Sequence, residues 1–396
     1  MPVVKSHNKL AEYYCEYELS PDRGESSTIS QLVAAIATEI LTKEPIVVAD
    51  AASGKISKKV LENKILHFAE TKRHNFGYYR DELLKRVLDF MFGYGPLQEL
   101  IEQEEITDID GTGYNEFSVK IAGRRMPVSI SFPDEKTFDT YCRLMIIRNG
   151  GIINENDSHC RVVDEKNRLR INVSISPRNI SGPCICIRKH RKESYGLDEL
   201  EKAGMLCREN KKILLNISAE DSSVVFCGKG ASGKTTLLRA FINTMPEMER
   251  LLVVESDSEL YPQKPYCIVQ RIKKANEGGR SITLKELVAD GLTMSLDTYC
   301  VGEIVGDEAW EFLRASFSGH RCLATTHSES ASDTMDRLLT LARPGTSGES
   351  ELVMKKIIGS GIDYIVYLKS FKVIQIIKIA KYNESEDRYE VEIVWE

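Results

Sequence analysis

The ten cysteines of this chain include no C-x-x-C pair, so neither a zinc ribbon nor a thioredoxin-like redox motif is supported. They are scattered, and several fall in apolar runs where a thiol behaves as a small hydrophobe, so the expected setting is reduced and cytoplasmic. Long hydrophobic runs are missing too. None approaches the ~20 residues needed to span a bilayer, and residues 1–30 lack the apolar core of roughly 7–15 residues that a secretory signal carries. Any membrane role is therefore expected to be peripheral. Nor is there a long basic run: 53 Lys and Arg stand against 59 Asp and Glu, a net charge of −6. Generic nucleic-acid binding draws its affinity from phosphate neutralisation, so no specific nucleic-acid partner is expected. No internal repeat of ~20–50 residues is visible, which speaks against a solenoid or a propeller.

What remains is a globular composition, 42% hydrophobic and 28% charged over 396 residues, long enough for two or three domains. Residues 1–60 read as an extension with one helix at 29–41, its Leu32, Ile36 and Ile40 spaced four apart on one stripe. Residues 61–190 mix helical patterns at 59–70, 80–92 and 138–147 with strand patterns at 117–121, 169–175 and 184–188, an α+β order. A charged hinge from Lys189 to Gly196 leads into residues 191–396, where apolar strands are expected at 223–227, 250–254, 299–304 and 321–326 with helices between them. This alternation is expected to run through 390 and to give a mostly parallel sheet with ligands at the carboxyl ends of its strands.

The strongest motif follows the first of those strands. Gly228, Lys229, Gly230, Ala231, Ser232, Gly233, Lys234 and Thr235 spell G-x-x-x-x-G-K-T, and Thr236 to Phe241 open a helical pattern. Glycines let such a loop curl so that its N–H groups point inward at phosphate oxygens, and the helix adds its positive N-terminal end. Lys234 is then expected to reach the terminal phosphates of ATP, with the Thr235 hydroxyl on Mg²⁺.

Later strands end on groups able to handle water. Glu255 and Glu259 follow the strand at 250–254, Glu303 closes Tyr299-Cys300-Val301-Gly302-Glu303, and His327 follows Thr325-Thr326. A carboxylate that orients or deprotonates the attacking water, with others on the metal, is what ATP hydrolysis requires. Glu303 is the leading catalytic and Mg²⁺ candidate, and His327 could sense the terminal phosphate through its imidazole. Separately, each has a plainer reading: an exposed acidic loop for 255–259, a structural histidine for 327.

The order of these motifs resembles the ATPases of type II and type IV secretion systems, most closely the CpaF-like branch of Tad-type pilus assembly, from about Gly93 to Leu368. Gly93-Tyr94-Gly95-Pro96-Leu97, Arg170-Ile171-Asn172 and Ser181-Gly182-Pro183 with Ile187-Arg188-Lys189 are similar to family elements ahead of the phosphate loop. Glu255 to Leu260 resembles its acidic box, Val301-Gly302-Glu303 its Walker B strand, and Gly319-His320 with Thr325-Thr326-His327 its histidine box. The resemblance implies a RecA-like P-loop ATPase domain behind an α+β N-terminal domain, and Arg188 facing the nucleotide. It also implies a homo-hexameric ring at the inner face of the cytoplasmic membrane, acting on inner-membrane platform proteins and, through them, on pilin or a secreted protein.

The chain departs from the family at several points. Ser256 stands where an Asp is usual, Leu292-Thr293-Met294-Ser295-Leu296-Asp297 replaces an arginine-bearing segment, and Val305 replaces an Arg. Arg271, Arg314, Arg337 or Arg188 would have to take over a charge-stabilising role; otherwise hydrolysis is slow and the chain serves as a nucleotide-binding scaffold or switch. A conjugation-type secretion ATPase is a further alternative. No four-cysteine insert is present, in keeping with the CpaF-like branch.

Overall fold

The structure, a computed structural model, describes residues 56–71, 80–275 and 279–396 together with scattered positions between 32 and 51. Of the helix expected at 29–41, Leu32, Ile36 and Ile40 are helical and buried, whereas residues 1–31 lie outside the described residues. The chain divides into two compact units, one of Met1–Val162 with Ile171–Lys189 and one of Val163–Arg170 with His190–Glu396.

The first unit contains the helices Lys58–Thr71, Arg80–Phe92 and Glu135–Arg148. Its strands are β1 (Ile106–Gly113), β2 (Glu116–Ile121), β3 (Arg124–Val128) and β6 (Cys184–Lys189), with β4 (His159–Asp164) and β5 (Leu169–Ser174), whose ends at 163–164 and 169–170 are counted in the second unit. They form a six-stranded sheet in the order β3-β2-β1-β6-β5-β4. The helix Glu135–Arg148 starts where Asp134 accepts the Thr137 N–H at 2.7 Å, a standard N-cap. It buries Phe138, Tyr141, Cys142, Met145 and Ile146, one stripe at helical spacing. Tyr141 donates its hydroxyl to the Tyr94 carbonyl at 2.8 Å, which ties the glycine-proline turn at 93–96 to the core.

The second unit is built on β7 (Val224–Cys227), β8 (Leu251–Glu255), β9 (Cys267–Arg271), β10 (Thr298–Ile304), β11 (Arg321–Thr326), β12 (Tyr364–Lys369), β13 (Lys372–Asn383) and β14 (Arg388–Trp395). The order is β14-β13-β12-β7-β11-β10-β8-β9. From β12 to β9 every neighbouring pair is parallel. Strands covered on both faces read as unbroken apolar runs, and β7, β8 and β11 are buried at every position. The pleat sorts alternate side chains to opposite faces. Val225, Cys227, Leu252, Val254, Val301 and Ala324 pack with the helices Glu308–Phe317, Asp333–Ala342 and Glu351–Gly361. Val224, Phe226, Leu251, Val253, Cys300 and Leu323 pack with Arg208–Ala219 and Lys234–Ile242.

Two elements differ from expectation. The strand–helix alternation does not continue through 390, because β12, β13 and β14 follow one another and pair β12–β13 and β13–β14 antiparallel. Most residues of β13 and β14 are exposed or half-buried, so these two lack the unbroken apolar runs of the central strands, which hides the pattern. Strand β9 also escapes a search for apolar runs, since none of its five residues is fully buried. The parallel registers Val301↔Val254, Ile304↔Thr326 and Thr326↔Cys227 bring the carboxyl ends of β8, β10, β11 and β7 to one edge of the sheet, where ligands of such sheets bind.

Candidate nucleotide site

The phosphate-loop segment joins β7 to the helix Lys234–Ile242, whose first residue is Lys234 itself. Gly228 has φ +146°, and a Cβ there would collide with the Leu368 carbonyl oxygen of β12, so only glycine fits. Gly233 caps the helix at φ +97° and would drive a Cβ into Met205 and to 3.0 Å from Phe371. Between them Ala231 is also left-handed, at φ +58°. Lys234 is buried, with its ammonium 3.1 Å from the Gly228 carbonyl and 3.2 Å from the Lys229 carbonyl. Burial holds it below the ordinary lysine range, against the pull of the Glu303 carboxylate. Ser232 is 3% exposed, and its buried hydroxyl has no protein partner among the described residues. Thr235 and Thr236 stand half-buried in the first helical turn.

Beside this loop, Glu303 is the one residue of β10 that is not buried. Its side chain is 44% exposed and its Oε1 lies 2.8 Å from Nε2 of His327. The imidazole borders the loop as well, since a Cβ on Gly230 would sit 3.7 Å from the His327 Cε1. Hydroxyls from β11 fix the strand end: Thr325 donates to the Gly302 carbonyl at 2.7 Å and Thr326 to the Ile304 carbonyl at 3.1 Å.

The acidic segment after β8 is arranged differently. Glu255 is 2% exposed and its Oε1 accepts the N–H groups of Glu259 and Leu260 at 3.1 and 3.0 Å. Burial pushes this carboxyl up to about 8. Glu259 is partly exposed and bound to Arg170 at 2.8 Å, with Asp257 3.7 Å from the same guanidinium and 3.4 Å from Lys274. Ser258 donates to Glu165 at 2.7 Å, and Arg271 lies 3.7 Å from that carboxylate. The segment Val163–Arg170 thus contributes a cation and an anion to the acidic segment within the second unit.

Of the residues singled out from sequence, Glu303 and His327 meet beside the phosphate loop. Glu255 and Glu259 are joined through a backbone N–H and not by convergence of their carboxylates. Arg188 belongs to the first unit, where it pairs with Asp108 at 2.9 Å. Arg271 faces Glu165, Arg314 pairs with Glu311 at 2.9 Å, and Arg337 is exposed on its helix. The partnership of Arg170 with Glu259 spans 89 residues of sequence, and no local pattern announces it.

The protein suits a bound nucleotide at this edge of the sheet. A buried Ser232 hydroxyl without a partner among the described residues, a lysine bonded to loop carbonyls, and glycines whose missing Cβ atoms leave room for the curl form a cradle for phosphate. No group of three or more His, Cys, Asp or Glu among the described residues could hold a metal by itself. Mg²⁺ binds through one or two protein oxygens plus phosphate, and Thr235 and Glu303 supply oxygens of that kind.

The family described as Type II/IV secretion system protein matches residues 143–361, more than half of the chain, and the chain belongs to it. The "Putative conjugal transfer protein Rv3659c" of Mycobacterium tuberculosis is 26% identical over 231 residues, 57% of this chain and 65% of that protein. The chain therefore spans less than two thirds of that relative's length. The "Type IV secretion system protein VirB11" of Bartonella quintana is 31% identical over 162 residues, 39% of this chain and 45% of that one. Among solved structures, the pilus retraction motor PilT with bound ADP superposes at a TM-score of 0.51 and 18% identity, over 74% of this chain and 81% of its own. That likeness and the strand order define a RecA-like α/β fold. No helix among the described residues is long and apolar enough to cross a membrane.

Proposed function

We propose that this chain is an ATP-hydrolysing motor that works as a homo-hexameric ring at the inner face of the cytoplasmic membrane. It would drive pilus assembly or protein secretion through inner-membrane platform proteins, with pilin or a secreted protein as indirect substrate. The observation that carries this reading is the Glu303–His327 pair, 2.8 Å apart, at the strand end beside a phosphate loop whose lysine bonds the loop's own carbonyls.

The loop N–H groups and Lys234 receive the phosphates of ATP, and Lys234 exchanges its two carbonyl partners for phosphate oxygens. Thr235 and Glu303 would hold Mg²⁺, which would neutralise charge at the phosphates. Glu303, exposed enough to meet water, orients the nucleophile and accepts its proton. His327 holds the carboxylate of Glu303 in place and lies against Gly230, so it can register what occupies the loop. Glu259 and Arg170 form a charge pair that steadies the acidic segment, and Arg271 or Arg188 would serve the phosphates in other states of the ring.

Steady-state phosphate release by the purified protein tests this reading. The wild-type chain turns over ATP with Mg²⁺, and Glu303→Gln slows it by ~10²–10⁴-fold with ATP binding retained. A wild-type rate no higher than that of the variant, with ATP still bound, would leave a nucleotide-dependent scaffold as the function.

A second reading follows from the mycobacterial relatives, which are described as putative conjugal transfer proteins. Under it the same motor serves a conjugation-type secretion machine. Copurification with platform proteins from a pilus operon or from a conjugation operon separates the two.

A further inference from the structure

Glu255 closes β8 one strand away from Glu303, but it faces inward. Three contacts define its position. Its Oε1 receives two backbone N–H groups, from Glu259 and Leu260, which closes the acidic segment into a turn. Its Cγ lies where a side chain on Gly302 would have to go, 2.9 Å from an ideal Cβ, with Oε1 at 3.2 Å. On the other side of Gly302 its carbonyl is held by the Thr325 hydroxyl. The result is a column of Thr325, Gly302, Glu255 and the 259–260 backbone, spanning β11, β10, β8 and the turn. Its second oxygen, Oε2, is buried with no protein partner among the described residues.

We infer that Glu255 is a positioning residue: it anchors the acidic turn against Gly302 of β10, setting Glu259 and the strand end that carries Glu303, and it does not itself meet water or metal. This rests on the ATPase reading above. A group 2% exposed, wedged against a neighbouring strand and committed to two N–H donors, has no route to a reacting phosphate without breaking the turn it holds. Glycine at 302 is its steric complement. The G-E pair at the end of β10 therefore has two separate tasks: Gly302 makes room for the anchor, and Glu303 does the chemistry.

The test uses the full chain and five variants, read by kcat, KM for ATP, binding of a fluorescent ATP analogue, and melting temperature. Glutamine keeps the Oε1 acceptor, so Glu255→Gln is expected to lower kcat by no more than ~3-fold, whereas Glu255→Ala, which leaves two buried N–H groups unpaired, lowers it by ~30-fold or more. Glu303→Gln, the catalytic control, loses ~10²–10⁴-fold with analogue binding intact. Gly302→Ala lowers the melting temperature by ~3–10 °C in the wild-type background through overpacking. The same change in a Glu255→Ala background costs less than half as much, because the colliding side chain is gone. The inference is overturned if Glu255→Gln loses as much kcat as Glu303→Gln while folding and binding the analogue normally, or if Gly302→Ala costs the same melting temperature in both backgrounds. Should the wild-type chain prove no faster than Glu303→Gln, the motor reading fails, and the two melting comparisons still decide whether Glu255 and Gly302 form the anchor.

Discussion

Strands β8 and β10 are neighbours in one sheet, and each carries a glutamate at or one residue before its carboxyl end, yet the two carboxylates occupy opposite environments. Glu303 is 44% exposed, paired with an imidazole, and within the electrostatic reach of Lys234. Glu255 is 2% exposed, bound to backbone N–H groups, and shifted by burial toward its protonated form. The pleat supplies the reason. Successive residues alternate between faces, and whether a strand-end side chain meets solvent depends on which face the end leaves open. A carboxylate at the right place in a motif is therefore not yet a catalytic carboxylate.

The largest expected effect sharpens the exposed side of this contrast: Lys234→Ala removes the buried cation of the phosphate loop and is expected to abolish measurable ATP binding and turnover, a loss of ~10³-fold or more checked by analogue titration. Detectable tight binding by that variant would break the assignment of the site. Next comes His327→Ala, which frees Glu303 from its 2.8 Å partner; kcat should fall ~10–100-fold with KM little changed. Arg170→Ala tests the acidic turn, since it strips Glu259 of its ion pair. A pair of intermediate exposure supports a stability loss of ~1 kcal/mol, seen as a lower urea midpoint.

A pH series probes the buried side. The folded protein keeps a proton on Glu255 up to about 8, whereas an unfolded glutamate releases it near ~4.3. Between these values the folded state binds more protons, so the stabilising contribution, full below the unfolded value, is lost as pH rises through the folded one. The charged or titratable groups facing Glu255 are Glu259, Glu165, Arg239, Tyr261 and Cys300. Relative to Glu255→Gln, the wild-type chain should lose up to ~1.4 kcal/mol of stability per pH unit across that window, measured by denaturant unfolding at pH 5 to 9. A flat difference would mean that Glu255 is ionised in the fold. The smallest effect belongs to Lys229 and Glu329, an exposed pair at 2.8 Å, whose removal by Glu329→Ala should leave the urea midpoint unchanged.

Much of the core of this site was legible in the chain. The G-x-x-x-x-G-K-T spacing, the apolar runs that became β7, β8, β10 and β11, and the acids that follow them depend on local pattern, which sequence carries directly. What escaped is non-local or mixed in pattern. The join of Arg170 to Glu259 depends on a hairpin far upstream, and the inward turn of Glu255 depends on the absence of a side chain at Gly302. The three-stranded meander at 364–395 was missed because β13 and β14 are only partly covered and so lose the apolar signature of their parallel neighbours.

The contact between Gly228 and the Leu368 carbonyl reaches further than the glycine itself. It places the end of β12 directly behind the first residue of the nucleotide cradle, and Phe371 in the following turn against Gly233. Leu368 and Phe371 thus act as a backstop for the loop. Trimming the carboxyl-terminal strands, or fusing a rigid partner close to that turn, would register as weakened nucleotide affinity far from any residue that touches the ligand.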